Sequence, residues 1–401
     1  MLMEESRMPN QYRDPYIVRH MAPFRIDGLA IPYAEFVPRL YNFCMELGFR
    51  KGLIMPSRAF CSDENQGLPI ILLTKHFGTF PFNHGRVGGI VATDRHLPHS
   101  HHGEDAVIVQ ASHVGYDPET GKYGTYRRPQ MAGNCISLSC GKLSHVISPY
   151  VEQYQFAQRR IFLHRDEKNR CLITVKNSFV DFDSHPVKNG LVLRLPKIVQ
   201  EDEYGVIRPL AAASTSQTYE VSEEFRKRFE VIGYQWKSGE GESIGDLLTA
   251  DLFFFREDFH ETDEYLLLER NLIEFMPDIV SSKNPSLRAA KINIQLEFAR
   301  VTESIRRGNE YDGKNLLYIA GLNLDISEYN NYLATTYFVP WAAHIQLRDS
   351  ASAAEYSHPL EQESLFAKLM AQSKENKAQV DLKENIQRML ESPHFDIRAP
   401  K

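Results

Sequence analysis

The chain has 401 residues, of which 42% are hydrophobic and 24% are charged, and its formal net charge at pH 7 is −6. That composition is ordinary for a globular protein with a sizeable core, and the length favours two domains or one large domain with an appendage. The negative charge argues against a general nucleic-acid-binding protein, and the lack of any long, uninterrupted apolar run argues against a membrane-spanning helix.

The chain begins with a polar segment. Residues 1–30 contain prolines at positions 9, 15 and 23, which predicts an N-terminal arm. The first ten residues, MLMEESRMPN, carry acidic side chains where a secretory signal needs a positive start and an apolar stretch. We therefore expect a cytoplasmic protein with no membrane partner.

The next segment has a helical pattern. Four large apolar side chains recur at intervals of three to four residues: Phe36, Leu40, Phe43 and Leu47. That spacing predicts a helix over residues 31–50, with Gly48 near its end. Cys44 lies within the pattern, which indicates a buried thiol because free cysteine is among the most buried residue types.

Short apolar runs alternate with loops rich in glycine and histidine between residues 53 and 145. Three of these runs are predicted to be buried strands of a parallel or mixed sheet: LPIILLT (68–74), GGIVAT (88–93) and AVIVQAS (106–112). Stretches on either side can form helices, so the sequence predicts an α/β fold.

The remaining sequence is predicted to be mainly helical. Helical patterns occupy four stretches: 141–165, 222–235, 243–275 and 285–307. We expect Pro149 to interrupt the first of them. Alternating stretches such as LVLRL lie within 171–200, the acidic region 201–222 is a possible boundary, and the tail from residue 349 is rich in helix-forming residues.

Potential metal ligands concentrate in one part of the chain. Three of the five cysteines, Cys61, Cys135 and Cys140, flank the histidine-rich stretch that ends at His113. An odd number of cysteines in a long chain does not indicate a disulfide framework. Cys61 and His113 follow apolar runs and Cys140 precedes a predicted helix, so we expect these side chains at one rim of the sheet.

These residue types favour zinc. Two thiolates and an imidazole suit Zn²⁺ rather than Mg²⁺ or Ca²⁺, and they leave the fourth tetrahedral position open for water. The spacings of 52 residues from Cys61 to His113 and 27 from His113 to Cys140 are not those of zinc fingers. Asp63 could accept a hydrogen bond from the water and orient it. Cys135 is an alternative to Cys140 as the second thiolate.

Two other features of this stretch have alternative interpretations. The run His96, His99, His101 and His102 could be a second metal site, but a polar loop near the first site is the better interpretation. Either His101 or His102 could shuttle protons there, because an imidazole titrates near neutral pH. A cluster of three glycines could be a phosphate-binding loop, but close packing of strands is the better interpretation. Its members are Gly85, Gly88 and Gly89.

Three motifs carry a resemblance to a known family: CSDE (61–64), an apolar strand ending in HVGYD (113–117), and SLSCGKL (137–143). Together they resemble the limiting-CO2-inducible protein B/C family of β-type, or θ-class, carbonic anhydrase-like proteins. The resemblance implies zinc ligands at Cys61, His113 and Cys140, and a catalytic aspartate at Asp63. It also implies a homodimer and a central sheet of the β-carbonic anhydrase type with flanking helices.

The implied function is zinc-dependent, reversible hydration of CO2 to bicarbonate by attack of zinc-bound hydroxide. We accordingly divide the chain into the N-terminal arm (1–30), a zinc domain (31–235) and a mostly helical C-terminal extension of unassigned role (236–401).

One departure from the family pattern leaves room for other functions. The usual β-type motif has arginine two residues after the aspartate, but Asn65 stands there, so Arg58 or Arg86 would have to replace it. The alternatives are a non-catalytic zinc protein with an assembly or inorganic-carbon-sensing role, and a zinc hydrolase with another small substrate.

Overall fold

The computed structural model describes eight parts of the chain: residues 24–86, 88–91, 105–127, 136–176, 180–181, 190–256, 266–326 and 335–391. They form two compact units. The first comprises residues 1–121, 125–137 and 294–401, and the second comprises residues 122–124 and 138–293. The division into an arm, a zinc domain and a C-terminal extension stays a prediction.

The strands of the described residues are β1 (Ile31–Pro32), β2 (Ile54–Ala59), β3 (Phe82–Asn83), β4 (Gly85–Arg86), β5 (Ile90–Val91), β6 (Asp105–Asp117), β7 (Lys122–Tyr123), β8 (Thr125–Arg127), β9 (Ile136–Leu138), β10 (Ile161–Arg165), β11 (Cys171–Lys176), β12 (Val180–Asp181), β13 (Leu191–Leu193), β14 (Ala211–Ala213), β15 (Ser216–Glu220), β16 (Glu242–Ser243), β17 (Phe253–Phe255), β18 (Leu316–Ile326), β19 (Thr335–Gln346) and β20 (Leu360–Glu361). The α-helices are α1 (Tyr33–Glu46), α2 (Gly67–Phe77), α3 (Gly141–Arg160), α4 (Glu223–Val231), α5 (Leu266–Leu272), α6 (Met276–Val280), α7 (Pro285–Arg307), α8 (Ser350–Ala353), α9 (Gln362–Ala371) and α10 (Leu382–Leu390).

A mixed sheet forms the centre of the first unit, with the strand order β1–β19–β18–β6–β2–β3. Strands β18, β6, β2 and β3 run parallel, whereas β19 is antiparallel to both β18 and β1. The predicted strand 106–112 is confirmed within β6. The α/β class, with a central sheet flanked by helices, is confirmed as well. Strands β18 and β19 come from the segment expected to be a mostly helical extension, yet they belong to this sheet, with β18 beside β6 and β19 beside β18.

Helices cover both faces of this sheet. Helices α1, α2 and α9 share one apolar core with every second residue of the strands, including Val107, Val109 and Ile319. On the opposite face, Phe298 of α7 stacks on Tyr318 with ring centroids 5.2 Å apart. This alternation follows from strand geometry, which directs successive side chains to opposite faces.

The predicted helix over residues 31–50 is confirmed as α1. It ends just before Gly48, whose φ of +81° is the left-handed conformation that commonly follows a helix. Cys44 is fully buried in the shared core, and burial raises the pKa of its thiol above the ordinary value. An uncharged, enclosed thiol is unreactive, which agrees with the predicted structural role.

Two predicted strands differ from the structure. The run LPIILLT (68–74) lies in helix α2, whose buried residues Pro69, Leu73 and Phe77 follow a spacing of four. An apolar run of this length fits either a buried strand or a buried helix, so periodicity alone misassigned it. In GGIVAT only Ile90–Val91 is a described strand, and it pairs with β4 outside the central sheet.

The second unit also departs from two helix predictions. Helix α3 continues through Pro149 and ends at Arg160, where β10 begins, so the expected interruption is wrong. Among the described residues of 243–275, strand β17 pairs with β13, and the helical segments are the short helix α5 and three 3₁₀ turns. The predicted helices at 222–235 and 285–307 are confirmed as α4 and α7.

An antiparallel sheet with the order β14–β15–β11–β10–β16 organises much of the second unit. A smaller sheet joins β12, β13 and β17. Within the parts of the chain that the structure describes, no helix combines the length and the apolar character needed to cross a membrane.

Buried histidines predict acid sensitivity of the fold. Burial, with a smaller contribution from the charge of nearby Arg306, lowers the pKa of His344 from 6.5 to about 4. Between those two pH values the unfolded chain binds more protons than the folded chain, so the free energy of unfolding should fall as the pH falls. In His344→Gln the loss of stability from pH 7.5 to pH 5, measured by denaturant unfolding, should be smaller than in the wild type. The exposed His358 provides the control substitution, and equal losses in wild type and His344→Gln would contradict the prediction.

Candidate metal centre

The structure brings Cys61, His113 and Cys140 together. One potential ligand atom from each residue lies within 4.8 Å of the other two. All three side chains are buried, with exposed fractions of 4%, 1% and 2%. Ligand atoms around a tetrahedral zinc ion are roughly 4 Å apart, so this buried Cys-His-Cys group could bind a metal ion.

Cys61 follows strand β2 and receives a backbone hydrogen bond. The Gly88 N–H donates to the Cys61 Sγ over 3.2 Å. Gly88 and Gly89 both have positive φ, and a Cβ on Gly89 would lie 2.4 Å from the Ala111 carbonyl oxygen. The glycines therefore allow close packing against the strands, as predicted, and they aim an N–H at the sulfur. That N–H partly offsets the negative charge of a Cys61 thiolate.

His113 lies on β6, directly opposite Asn323 on β18. Its Nδ1 is 2.8 Å from an oxygen of Asp325, and its Nε2 is 3.9 Å from an oxygen of Asp63. A carboxylate partner at Nδ1 orients an imidazole and leaves Nε2 as the nitrogen for a metal. The ring therefore presents Nε2 on the side of Asp63.

A buried polar network surrounds Asp325. Its carboxylate accepts hydrogen bonds from Gln66 Nε2 at 3.1 and 3.2 Å and from the Thr336 hydroxyl at 3.1 Å. Gln66 in turn accepts a hydrogen bond from Asn323, and Asn323 accepts one from the Tyr33 hydroxyl at 2.8 Å. Burial raises the pKa of Tyr33 well above its ordinary value, so its hydroxyl stays protonated and donates.

Sequence reasoning missed this network, although one signal was present. Strand β18 reads LLYIAGLNLDI, and Asn323 and Asp325 are its polar residues, two positions apart in an apolar run. That spacing places both side chains on one face of a buried strand. Buried polar groups need partners, so such a pair predicts a polar site at that end of the sheet.

The two carboxylate oxygens of Asp63 have different surroundings. One oxygen accepts a hydrogen bond from the Asn65 N–H over 3.2 Å and so caps the short 3₁₀ turn Glu64–Gln66. The other faces His113. Burial raises the pKa of Asp63 to about 6, and His113 opposes that rise.

No arginine of the described residues acts on Asp63. The charged groups that influence its pKa are His113, Glu64 and Asp325. Neither Arg58 nor Arg86, the two candidates for the missing arginine, is among them. Within the described residues, neither arginine therefore shifts the pKa of Asp63.

Cys140 directly precedes helix α3 and occupies its N-cap position. Cys135, the alternative to it, and the histidines at 96, 99, 101 and 102 lie outside the described residues. The donor set of two sulfurs and one imidazole nitrogen suits zinc, and a carboxylate behind the imidazole is the usual partner of a zinc-binding histidine. The residues present thus fit a zinc ion.

No protein-family model matches the chain, and no curated protein matches it in sequence. Among solved structures it is similar to PtLCIB4, a homolog of the limiting CO2-inducible protein LCIB, with 14% sequence identity and a TM-score of 0.46 over 83% of this chain and 95% of that chain. It is also similar to the limiting CO2-inducible protein LCIB, with 12% identity and a TM-score of 0.39 over 84% of this chain and 96% of that chain.

Proposed function

We propose that this protein binds one zinc ion through Cys61, His113 and Cys140 and hydrates CO2 reversibly to bicarbonate. The observation that carries the proposal is the buried Cys-His-Cys group with an Asp63 oxygen 3.9 Å from the His113 Nε2. Three ligands of this kind leave one tetrahedral position open. Zinc, when bound, lowers the pKa of water from 15.7 to about 7 and so supplies a hydroxide nucleophile at neutral pH.

In this proposal the oxygen of Asp63 that faces His113 accepts a hydrogen bond from the reacting water. Its other oxygen is held by the Asn65 N–H, so the carboxylate cannot rotate freely. The Gly88 N–H reduces the charge that the Cys61 sulfur donates. That matters because thiolate ligands weaken the effect of the metal on the pKa of water.

The proposal is tested by metal analysis followed by stopped-flow CO2 hydration on the same samples. We expect about one zinc per chain, since soft ligands with one imidazole select Zn²⁺ over Mg²⁺ and Ca²⁺, and zinc-dependent hydration that a chelator abolishes. Protein without zinc, and without zinc uptake on reconstitution, would contradict the whole proposal.

A second candidate is a zinc protein of the same fold that does not catalyse hydration and serves assembly or inorganic-carbon sensing. The observation that favours it is the Asp63 carboxylate, which burial pushes towards protonation while no described arginine counters that effect. Full zinc occupancy without detectable CO2 hydration would select this candidate.

The homodimer and the cytoplasmic location implied at the start stay predictions. Sedimentation velocity at several protein concentrations tests the first, and cell fractionation tests the second.

A further inference from the structure

Asp325 contacts the two segments of the first unit that carry proposed metal ligands. Its Oδ2 lies 2.8 Å from Nδ1 of His113, which is on strand β6. Both of its oxygens accept hydrogen bonds from Gln66, which lies five residues after Cys61 in the same short loop. One carboxylate on β18 therefore links the histidine strand to the cysteine loop.

The hydrogen-bond directions in this network follow from the carboxylate. An ionised carboxylate only accepts hydrogen bonds, so Gln66 must turn its NH2 group to Asp325 and its oxygen to the NH2 group of Asn323. By the same rule the nitrogen of His113 that faces Asp325 carries the proton. The ring is then in the tautomer with a lone pair on Nε2, the form that binds a metal.

The network is buried, so water does not compete for its hydrogen bonds. Exposed fractions do not exceed 1% for any of its members: Tyr33, Gln66, His113, Asn323, Asp325 and Thr336. Buried hydrogen bonds of this kind hold side chains in one arrangement, because breaking one leaves a desolvated polar group.

We propose that Asp325 is a positioning residue of the metal centre. It holds His113 in the Nδ1-protonated tautomer and, through Gln66, holds the loop that bears Cys61 and Asp63. The inference rests on the proposed zinc site, and it makes strand β18, whose Asp325 is 212 residues from His113, a part of that site.

Three variants test the role. Asp325→Asn presents an amide NH2 group towards Gln66, whose own NH2 group already points there. Two donors then face each other, and one of the hydrogen bonds between residues 325 and 66 is lost. Combining Asp325→Asn with Gln66→Glu restores complementary donors and acceptors, because the introduced carboxylate accepts from both neighbouring amides. Asp105→Asn is the matched control: Asp105 is equally buried, at the opposite end of the sheet, where Arg348 and the Arg50 N–H donate to it.

The first measurement is zinc affinity by competition with a chromophoric chelator. We expect Asp325→Asn to weaken zinc binding roughly 10–100-fold, and the double variant to return it to within about threefold of the wild type. Asp105→Asn should lower the free energy of unfolding and leave zinc affinity unchanged. Wild-type affinity in Asp325→Asn, or equal weakening in Asp105→Asn, overturns the proposal.

The second measurement uses metal-free protein and therefore does not depend on the proposed function. Long-range ¹H–¹⁵N NMR of the histidine rings should show His113 protonated at Nδ1 in the wild type and in the double variant, and a mixture of tautomers in Asp325→Asn. A wild-type His113 protonated at Nε2 overturns the inference. Protein that binds no zinc but shows the expected tautomers refutes the proposed function and supports the orienting role of Asp325.

Discussion

Cys140→Ser should abolish stable zinc binding while the protein remains folded. The serine hydroxyl is not ionised at neutral pH and is a poor zinc ligand, so only Cys61 and His113 would remain. Zinc affinity should fall by more than the roughly 10–100-fold that loss of a ligand's hydrogen-bond partner costs. The measurements are zinc per chain after gel filtration and the rise in melting temperature on adding zinc, which depends on the ratio of free metal to Kd.

Cys171→Ser is the matched control for that experiment. Cys171 is also a buried thiol, but it lies on strand β11 and is not a member of the ligand group. Its substitution should leave both the zinc content and the zinc-dependent rise in melting temperature unchanged. If Cys140→Ser keeps full zinc while Cys135→Ser loses it, Cys135 is the ligand and our assignment is wrong.

Asp63→Asn should retain zinc and stability but depress CO2 hydration on the order of 10²-fold or more. Zinc binding and stability are expected to be kept while activity is lost because the two oxygens of Asp63 have different partners. An asparagine oxygen can still accept from the Asn65 N–H, since asparagine caps helical turns about as well as aspartate. Its NH2 group then occupies the position that faces His113, so a donor replaces the acceptor that the reacting water needs. The measurement is stopped-flow hydration normalised to the zinc content of each sample.

Glu64→Gln controls for the loss of one negative charge in the same loop. Glu64 accepts a hydrogen bond from the Tyr126 hydroxyl over 2.7 Å, and glutamine can accept it too. Its hydration rate should stay close to that of the wild type. Equal rates in Asp63→Asn and the wild type would remove Asp63 from the mechanism and leave it only as a cap.

The non-catalytic alternative makes the opposite prediction for the same variant. If the wild type binds zinc without hydrating CO2, Asp63→Asn can change neither zinc content nor rate. The protonation state of Asp63 matters for both functions, because a protonated carboxyl group can present an O–H donor where an ionised one only accepts, and burial opposes its ionisation.

Local patterns determined the parts of this protein that depend on neighbours in sequence. The spacing of Phe36, Leu40 and Phe43 predicted helix α1, and the β-branched run in AVIVQAS predicted the centre of β6. Cys61, His113 and Cys140 were predicted to be metal ligands from their residue types and from the motifs that contain them. For all of these the information lies within a few residues of the feature.

Only the tertiary structure decided the features that depend on distant pairing. The run LPIILLT became a helix because Gly67–Phe77 packs one face into the shared core, which its composition alone could not distinguish from a strand. Strand β18 pairs with β6, and β19 pairs with β18, although both lie about 200 residues further along the chain than β6. Asp325 meets His113 only through that parallel register, and a register between distant strands is set by the whole sheet rather than by either strand.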